Sequence, residues 1–241
     1  MMRTFLMLVL FAAGAAQANE AAIRKALTPK LGGAKIEGVQ PAPMAGLWEV
    51  RVRGRSGVQL LYTDAAGAFL IDGNLYDLKN DRNLADERLR VLNAIKFESL
   101  PFEQAVKVQR GDGRRVVAMF SDPYCPYCQK FEQTLQKIND ITIYVFMYPV
   151  IRPQNADHSK AVWCSPDRQK AWLDLALHHK PPPAAPSCDN PVEKNLELGQ
   201  SLGVNGTPTL IFANGERVGG GMGATDFVAM LEKAGKESKK R

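Results

Sequence analysis

The chain has 241 residues, 45% of them hydrophobic and 23% charged, with a formal net charge of +6; that is room for one large domain or two modest ones. This balance excludes pervasive disorder and a collagen-like or coiled-coil chain. It also excludes a multi-span membrane protein, because the long apolar run lies at the extreme N-terminus.

That run, Phe5 to Phe11, follows Arg3, continues through Ala12, Ala13, Gly14, Ala15 and Ala16, and leads to Ala16-Gln17-Ala18. A charged start, a short apolar stretch and a small-x-small site predict a secretory signal over residues 1–18. The exported chain then begins at Asn19. Its basic residues are interleaved with acids except in the tail, Lys236 to Arg241. No basic stripe carries aromatic platforms, so no nucleic-acid partner is expected.

Residues 19–78 read as an α+β module. A short helix over Ala21–Lys30 ends before Gly32-Gly33, and strands follow over Lys35–Gln40, Leu47–Arg53, Val58–Asp64, Phe69–Asp72 and Asn74–Leu78, with Gly54, Gly57, Gly67 and Gly73 as turns. So short a module with few large apolar side chains makes a poor solitary core and would gain by pairing with a second copy through a strand edge. Residues 79–97 contain a helix-former-rich stretch, Asn83–Lys96, which reads as a linker helix between differently patterned halves, with a packed part of either domain as the alternative.

Residues 98–241 switch to alternating strands and helices. Gln104–Gln109 and Arg114–Phe120 are strands on either side of the turn Gly111-Asp112-Gly113, Cys125–Asn139 is a helix, and Ile141–Val150 is a central, doubly covered strand. Helices follow over Ala156–Trp163, Asp167–His179 and Val192–Leu202, broken by the stiff loop Pro181–Pro186. Thr209–Ala213 and Arg217–Gly219 flank the hairpin signal Asn214-Gly215, and Ala224–Ala234 is a closing helix. The order predicts an α/β layer domain.

Four cysteines remain after export: Cys125, Cys128, Cys164 and Cys188. Cys125-Pro126-Tyr127-Cys128 follows a buried-looking strand and opens a helix, a spacing that lets the two sulfurs reach one another at the helix N-terminus. Pro126 suits the first turn, where a missing N–H needs no partner. A thiol at an ordinary pKa of ~8.5 is only ~3% thiolate at pH 7. The free N–H groups and dipole of a helix start can favour an anion by up to ~2 kcal/mol, enough to bring such a thiol to about half ionised. Cys125 is accordingly the expected nucleophile, which requires an accessible sulfur, and Cys128 the resolving thiol. The alternatives for these residues are a purely structural disulfide and a zinc site drawing in all four cysteines.

Cys164 and Cys188 lack a helix-start context and read as a structural disulfide, with a second redox pair as the alternative. Closing their loop would contribute at most roughly 3.5 kcal/mol in the chain-entropy model. Pro208 in Gly206-Thr207-Pro208-Thr209 is either a plain strand-start device or a cis proline that offers backbone groups to a docking peptide.

At these residues the chain resembles the thioredoxin superfamily, and more closely the periplasmic protein-disulfide isomerases of the DsbC/DsbG family. The resemblance covers nearly the whole exported chain. It is carried by Ile36-Glu37-Gly38-Val39-Gln40-Pro41-Ala42-Pro43 with Gly46, Phe120-Ser121-Asp122, the CPYC itself, Lys160-Ala161-Val162-Trp163-Cys164, Pro186-Ser187-Cys188-Asp189 and Leu202–Pro208. It implies a thioredoxin-like catalytic domain joined by the linker helix to an N-terminal dimerisation domain. It also implies a homodimer whose apolar cleft binds misoxidised exported proteins, accessory chaperone activity, and reduction by a DsbD-like membrane protein. No cofactor beyond the redox-active Cys125–Cys128 disulfide is implied, and no metal. Thr207 and Pro208, in cis, and the dipeptide Pro126-Tyr127 would contact substrate, and Cys164–Cys188 would be structural. The dipeptide is the one the related DsbG carries, so a reductase of sulfenylated or misoxidised cysteines is the alternative within redox chemistry; a peptide-binding chaperone with an incidental CxxC is the alternative outside it. Met119 stands where thioredoxin has a buried aspartate, and His158, His178 and His179 do not adjoin the motif in sequence.

Overall fold

The computed structural model describes residues 17–54 and 57–239. They form two compact units that divide between Asn93 and Ala94. The signal expected over residues 1–18 lies outside the described residues, except for Gln17 and Ala18, which open helix α1 (residues 17–27).

The first unit is built on an antiparallel sheet of four strands in chain order, β1 (Lys35–Pro41), β2 (Trp48–Gly54), β3 (Gly57–Thr63) and β4 (Leu70–Ile71). Strand residues alternate between faces, and each face has its own cover. Ile23 and Leu27 of α1 pack on Trp48, Val50, Val52 and Leu61. On the other face Leu60 and Tyr62 receive Ala85, with Leu89 and Leu92 beside it. Those three residues belong to α2 (Leu84–Leu92), capped by the Asn83 side chain, which accepts from the Asp86 N–H at 3.1 Å. The stretch expected to be a linker helix is thus docked on β3. It stops short of Lys96 because the Asn93 side chain turns back onto Val58, accepting from its N–H at 2.8 Å and donating to its carbonyl at 3.0 Å.

The expected strand Asn74–Leu78 is reduced to β5 (Tyr76–Asp77), which pairs with β6 (Arg82–Asn83) in a small hairpin. The Asp77 carboxylate makes that turn by accepting from the N–H groups of Lys79 and Asn80 at 3.1 and 3.2 Å.

The second unit carries a sheet of five strands in the order β11-β10-β8-β9-β7, comprising β7 (Val106–Arg110), β8 (Arg115–Ser121), β9 (Ile141–Met147), β10 (Thr209–Phe212) and β11 (Arg217–Gly219). Only β8 and β9 run parallel. Strands β7 and β8 lie on either side of β9 and do not pair with each other across the Gly111-Asp112-Gly113 turn. The turn instead passes over the start of β9. Gly113 has φ +68, and a Cβ there would stand 2.6 Å from the Thr142 hydroxyl, which donates to the Gly113 carbonyl.

Five helices surround this sheet: α3 (Pro126–Leu135), α4 (Ala156–Cys164), α5 (Arg168–His178), α6 (Val192–Ser201) and α7 (Ala224–Ser238). One face buries Val117 and Met119 of β8 against Phe131 and Leu135 of α3, Trp172 of α5 and Phe227 of α7. The opposite face buries Ala118 and Phe120 with Phe146, Tyr148 and Ile211, joined by Phe97 and Leu100 from the start of the unit. Strand β8 is therefore sealed on both faces, as its continuous apolar run requires. Its C-terminal end is where the chain re-emerges.

Candidate active site

Strand β8 ends at Ser121, and after four intervening residues the chain enters α3 at Pro126. Asp122 holds this passage in place. Its carboxylate is almost fully buried and accepts from the N–H groups of Tyr124 at 2.8 Å and Ile151 at 2.7 Å, while its carbonyl accepts from the Cys125 N–H at 3.1 Å. One side chain thus ties the motif loop to the segment after β9.

Cys125 is the N-cap of α3 with extended backbone, and Pro126 occupies the first turn. The Gln129 N–H makes the first helical bond, to the Cys125 carbonyl at 3.0 Å. The N–H groups of Tyr127 and Cys128 consequently have no intrahelical acceptor. Together with the helix dipole they favour negative charge at the Cys125 sulfur.

Both thiols are unbonded, and both residues are 2% exposed. That is less open than the expected accessible nucleophile. The Cys125 thiol is folded inward and donates to the Thr207 carbonyl at 3.2 Å. Thr207–Pro208 is a cis peptide, and β10 follows at Thr209, pairing with Phe120 at the end of β8. The site therefore draws on three stretches far apart in sequence: residues 121–128, the Ile151 backbone and residues 206–208. Pro126 and Tyr127 stand exposed at its rim, Tyr127 at 73%.

Cys128 lies one turn into α3 and is equally buried. Burial pushes its thiol up to about 12 and charge on Cys125 pushes the same way, while the Ser121 hydroxyl, the Asp122 N–H and the Thr207 hydroxyl act against them. The Ser121 and Thr207 hydroxyl oxygens have no other hydrogen-bond partner among the described residues.

Cys164 and Cys188 are bonded to each other, with Cα atoms 5.7 Å apart. They join the end of α4 to the exposed segment before α6. Among the described residues no group of three or more His, Cys, Asp or Glu side chains is placed to hold a metal ion, and no helix is long and apolar enough to cross a membrane.

Two histidines remote in sequence reach the motif. His158 Nδ1 pairs with the Tyr124 hydroxyl, and the Arg152 guanidinium stands 6.0 Å from the centre of the same ring. His179 Nδ1 lies 3.3 Å from Gln129 Nε2. Burial pushes the Tyr124 hydroxyl above its ordinary range, with Arg152 opposing and Asp122 reinforcing.

A further acid lies beneath. Glu132 of α3 is 1% exposed and accepts from Trp172 Nε1 at 2.9 Å. Burial raises its carboxyl to about 7, against the Trp172 hydrogen bond and the positive charge of Arg110. Sequence reasoning, attending to Met119, missed it. A signal was present: residues 128, 131, 132 and 135 share the buried face of α3, and an acid on such a face needs an internal partner.

Comparison with known proteins agrees with this architecture. Residues 102–235 match the family model for a thioredoxin-like domain, and residues 14–86 match that for the disulfide bond isomerase protein N-terminal domain. A probable thiol:disulfide interchange protein DsbC from Bordetella pertussis is 37% identical over 210 residues, covering 87% of this chain and 73% of the relative. The thiol:disulfide interchange protein DsbC of Escherichia coli K12 is 33% identical over 230 residues, 91% of both chains. Among solved structures, a disulfide interchange protein from Neisseria gonorrhoeae superposes with a TM-score of 0.54 and 39% identity, covering 56% of this chain and 99% of that one.

Proposed function

Since the chain belongs to the DsbC family of thiol:disulfide interchange proteins, we propose that it is a periplasmic protein-disulfide isomerase whose exchanging groups are Cys125 and Cys128. The observation that carries this assignment is the position of Cys125 at the start of α3, with its sulfur against the carbonyl that precedes the cis proline.

The Cys125 thiolate attacks a substrate disulfide, forming a mixed disulfide and releasing one substrate sulfur as thiolate. A substrate thiolate can then attack the substrate sulfur of that bond, forming a new substrate disulfide and returning Cys125 as thiolate. The net result is isomerisation without electron transfer. Alternatively Cys128 attacks the Cys125 sulfur, the substrate leaves reduced by two electrons, and Cys125–Cys128 becomes the disulfide. A DsbD-like membrane reductant would restore the dithiol. Thr207 meets the sulfur through its carbonyl, Pro126 and Tyr127 are exposed beside it, and the buried Pro208 follows in cis; these four would contact the substrate chain. Beside them a groove of about 470 Å³, lined by Tyr127, Lys130, Phe131 and Met222 among others, offers apolar surface to an unfolded segment. Cys164–Cys188 plays a structural part.

The first unit supplies the second copy's seat. β4 is an outer strand of its sheet, and Phe69, Leu70 and Ile71 are 75%, 46% and 50% exposed. An unpaired apolar edge of this kind favours self-association, which supports a homodimer through the N-terminal module. Misoxidised exported proteins are the substrates.

The test is paired substitution. Cys125→Ser abolishes insulin reduction and reactivation of scrambled ribonuclease, whereas Cys128→Ser accumulates a mixed disulfide visible by mass spectrometry. Undiminished activity in Cys125→Ser overturns the assignment.

A further inference from the structure

The mixed disulfide stands at a branch. Escape by Cys128 requires that thiol to lose its proton, after which its sulfur bonds to Cys125, the Cys125–substrate bond breaks, and the substrate sulfur leaves with the electron pair and is protonated. Isomerisation requires the bond to survive until a substrate thiol finds it. Anything that restrains ionisation of Cys128 therefore lengthens the time available for reshuffling.

We propose that Glu132 is such a restraint: its buried carboxylate, one turn beneath Cys128, holds the resolving thiol back and biases the mixed disulfide toward isomerisation over reduction. This rests on Cys125 and Cys128 being the exchanging pair. Glu132 is a positioning residue in this scheme, acting on Cys128 through charge and touching no substrate.

The geometry is that of residues four apart on one helix. Cys128 and Glu132 share the buried face of α3 with Phe131 and Leu135. Residues four apart on a helix are surface neighbours, about 5–6 Å between Cβ atoms, which sets the Glu132 side chain next to the turn that bears Cys128. Trp172 from α5 donates to Oε1 at 2.9 Å, and Oε2 has no hydrogen-bond partner among the described residues.

The charged and titratable neighbours are few. Arg110 from β7 is the cation facing Glu132, and its Nη1 donates to the Leu135 carbonyl at 2.8 Å. Cys128 faces Cys125 and, at the end of β8, Asp122, whose carboxylate oxygens are occupied by the N–H groups of Tyr124 and Ile151. Ser121 and Thr207 do not titrate. His179 meets Gln129 at 3.3 Å.

Two like charges about 7 Å apart, at an effective dielectric of about 20, change an ionisation constant roughly fiftyfold. Arg110 offsets part of this, leaving an effect on the order of tenfold. Because burial places the Glu132 carboxyl near 7, the restraint is absent in mild acid and present above neutrality. Closure of the enzyme disulfide should then rise about tenfold per pH unit below pH ~7, level off over roughly the next unit and resume its rise above pH ~8, as expected for two coupled titrations.

The experiment mixes reduced full-length protein with oxidised glutathione between pH 5.5 and 8.5, quenches in acid, and follows conversion of the Cys125–glutathione adduct to the enzyme disulfide by mass spectrometry. Glu132→Gln keeps an acceptor for Trp172 but carries no charge. It should match the unsubstituted protein at pH 5.5, close roughly tenfold faster at pH 8.5, and show a raised ratio of insulin reduction to ribonuclease isomerisation. Superimposable closure profiles, with both proteins forming the adduct, overturn the proposal. Failure of the unsubstituted protein to form any adduct instead overturns the parent assignment of the pair. Trp172→Phe provides a second arm that does not depend on Glu132→Gln folding. Loss of the donor raises the carboxyl further, so the break in the profile moves to higher pH; an unmoved break counts against the proposal.

Discussion

The two units handle polarity in opposite ways. The first buries few polar side chains, Glu49 paired with Arg88 and Thr63 donating to the Phe69 carbonyl, and leaves large apolar ones outside: Phe69 is 75% exposed, Tyr76 57% and Leu78 90%. The second hides almost all of its apolar residues and admits polar ones beneath the motif, with Ser121, Asp122 and Glu132 all 1% exposed or less. Apolar surface left in water is unfavourable unless a partner covers it, and a polar group taken out of water is unfavourable unless something inside uses it. The contrast separates a unit organised for association from one organised for chemistry.

The largest effect belongs to the chemical unit. Cys125→Ser should lower insulin reduction and ribonuclease isomerisation to background, about a thousandfold or more, while gel filtration shows the same oligomer as before. A change in oligomeric state would blur the division of labour.

Next comes the reverse experiment. Phe69→Asp places a charge on the exposed edge by β4, and sedimentation should report a monomer. Isomerisation should fall about tenfold while insulin reduction stays within twofold, since a charge desolvated at an interface without a partner is strongly unfavourable. Equal loss of both activities would mean that the units are not separable in this sense.

Replacing Cys164 and Cys188 together by alanine should cost at most roughly 3.5 kcal/mol of stability in urea unfolding. Exchange at Cys125 should proceed at its usual rate, because the pair stands at the end of α4 and in the segment before α6, apart from the motif loop.

Glu132 gives the pH dependence. Its carboxyl is raised to about 7 by burial, whereas an unfolded glutamate titrates near 4.3. The folded state therefore binds the proton more tightly, so stability is greatest in acid and declines as pH rises through about 7. Between pH 5 and pH 8 the decline from this group is on the order of 2–3 kcal/mol. Glu132→Gln should remove that slope, which denaturant titrations at the two pH values would measure.

The smallest effect concerns the loop that presents Phe69. Asp64 accepts from the N–H groups of Ala68 and Phe69 at 2.8 and 2.9 Å, and these bonds, Phe69 first, hold its carboxyl below the usual carboxylate range. Asp64→Ala should weaken self-association roughly threefold by loosening this turn. In the unsubstituted protein the same loosening should appear only in strong acid, as pH falls through that lowered value.

Sequence-based expectation did well where signals were local. The five strands of the second unit, the entry to α3 through Cys125 and Pro126, and the Asn214-Gly215 hairpin all depend on short-range pattern and turn chemistry. It did worse where distant segments decide. The partner of β7 is β9 because the Gly111–Gly113 turn crosses the start of that strand, and nothing within the turn itself specifies a partner. The helix expected to reach Asn139 ends at Leu135, where tighter turns follow, with Lys137 and Ile138 donating to the carbonyls three residues back. The small hairpin of β5 and β6 depends on one aspartate folding a turn. At the candidate site, the sulfurs and the proline loop could be read in advance, but not the inward turn of Cys125, the reach of His158 and His179, or the buried Glu132.

What the sequence determined alone is therefore the type of chemistry on offer: a thiol pair at two-residue spacing, placed after a strand and at the start of a helix, within a chain patterned as two units. Those features depend on neighbours within a few positions, where backbone preference and side-chain periodicity are sufficient. Only the tertiary structure decided which groups surround the sulfurs and whether an acid of α3 meets water or Trp172. Burial and charge are properties of what folds over a residue, and the segments that fold over Cys128 and Glu132 come from β8, α5 and the loop before β10.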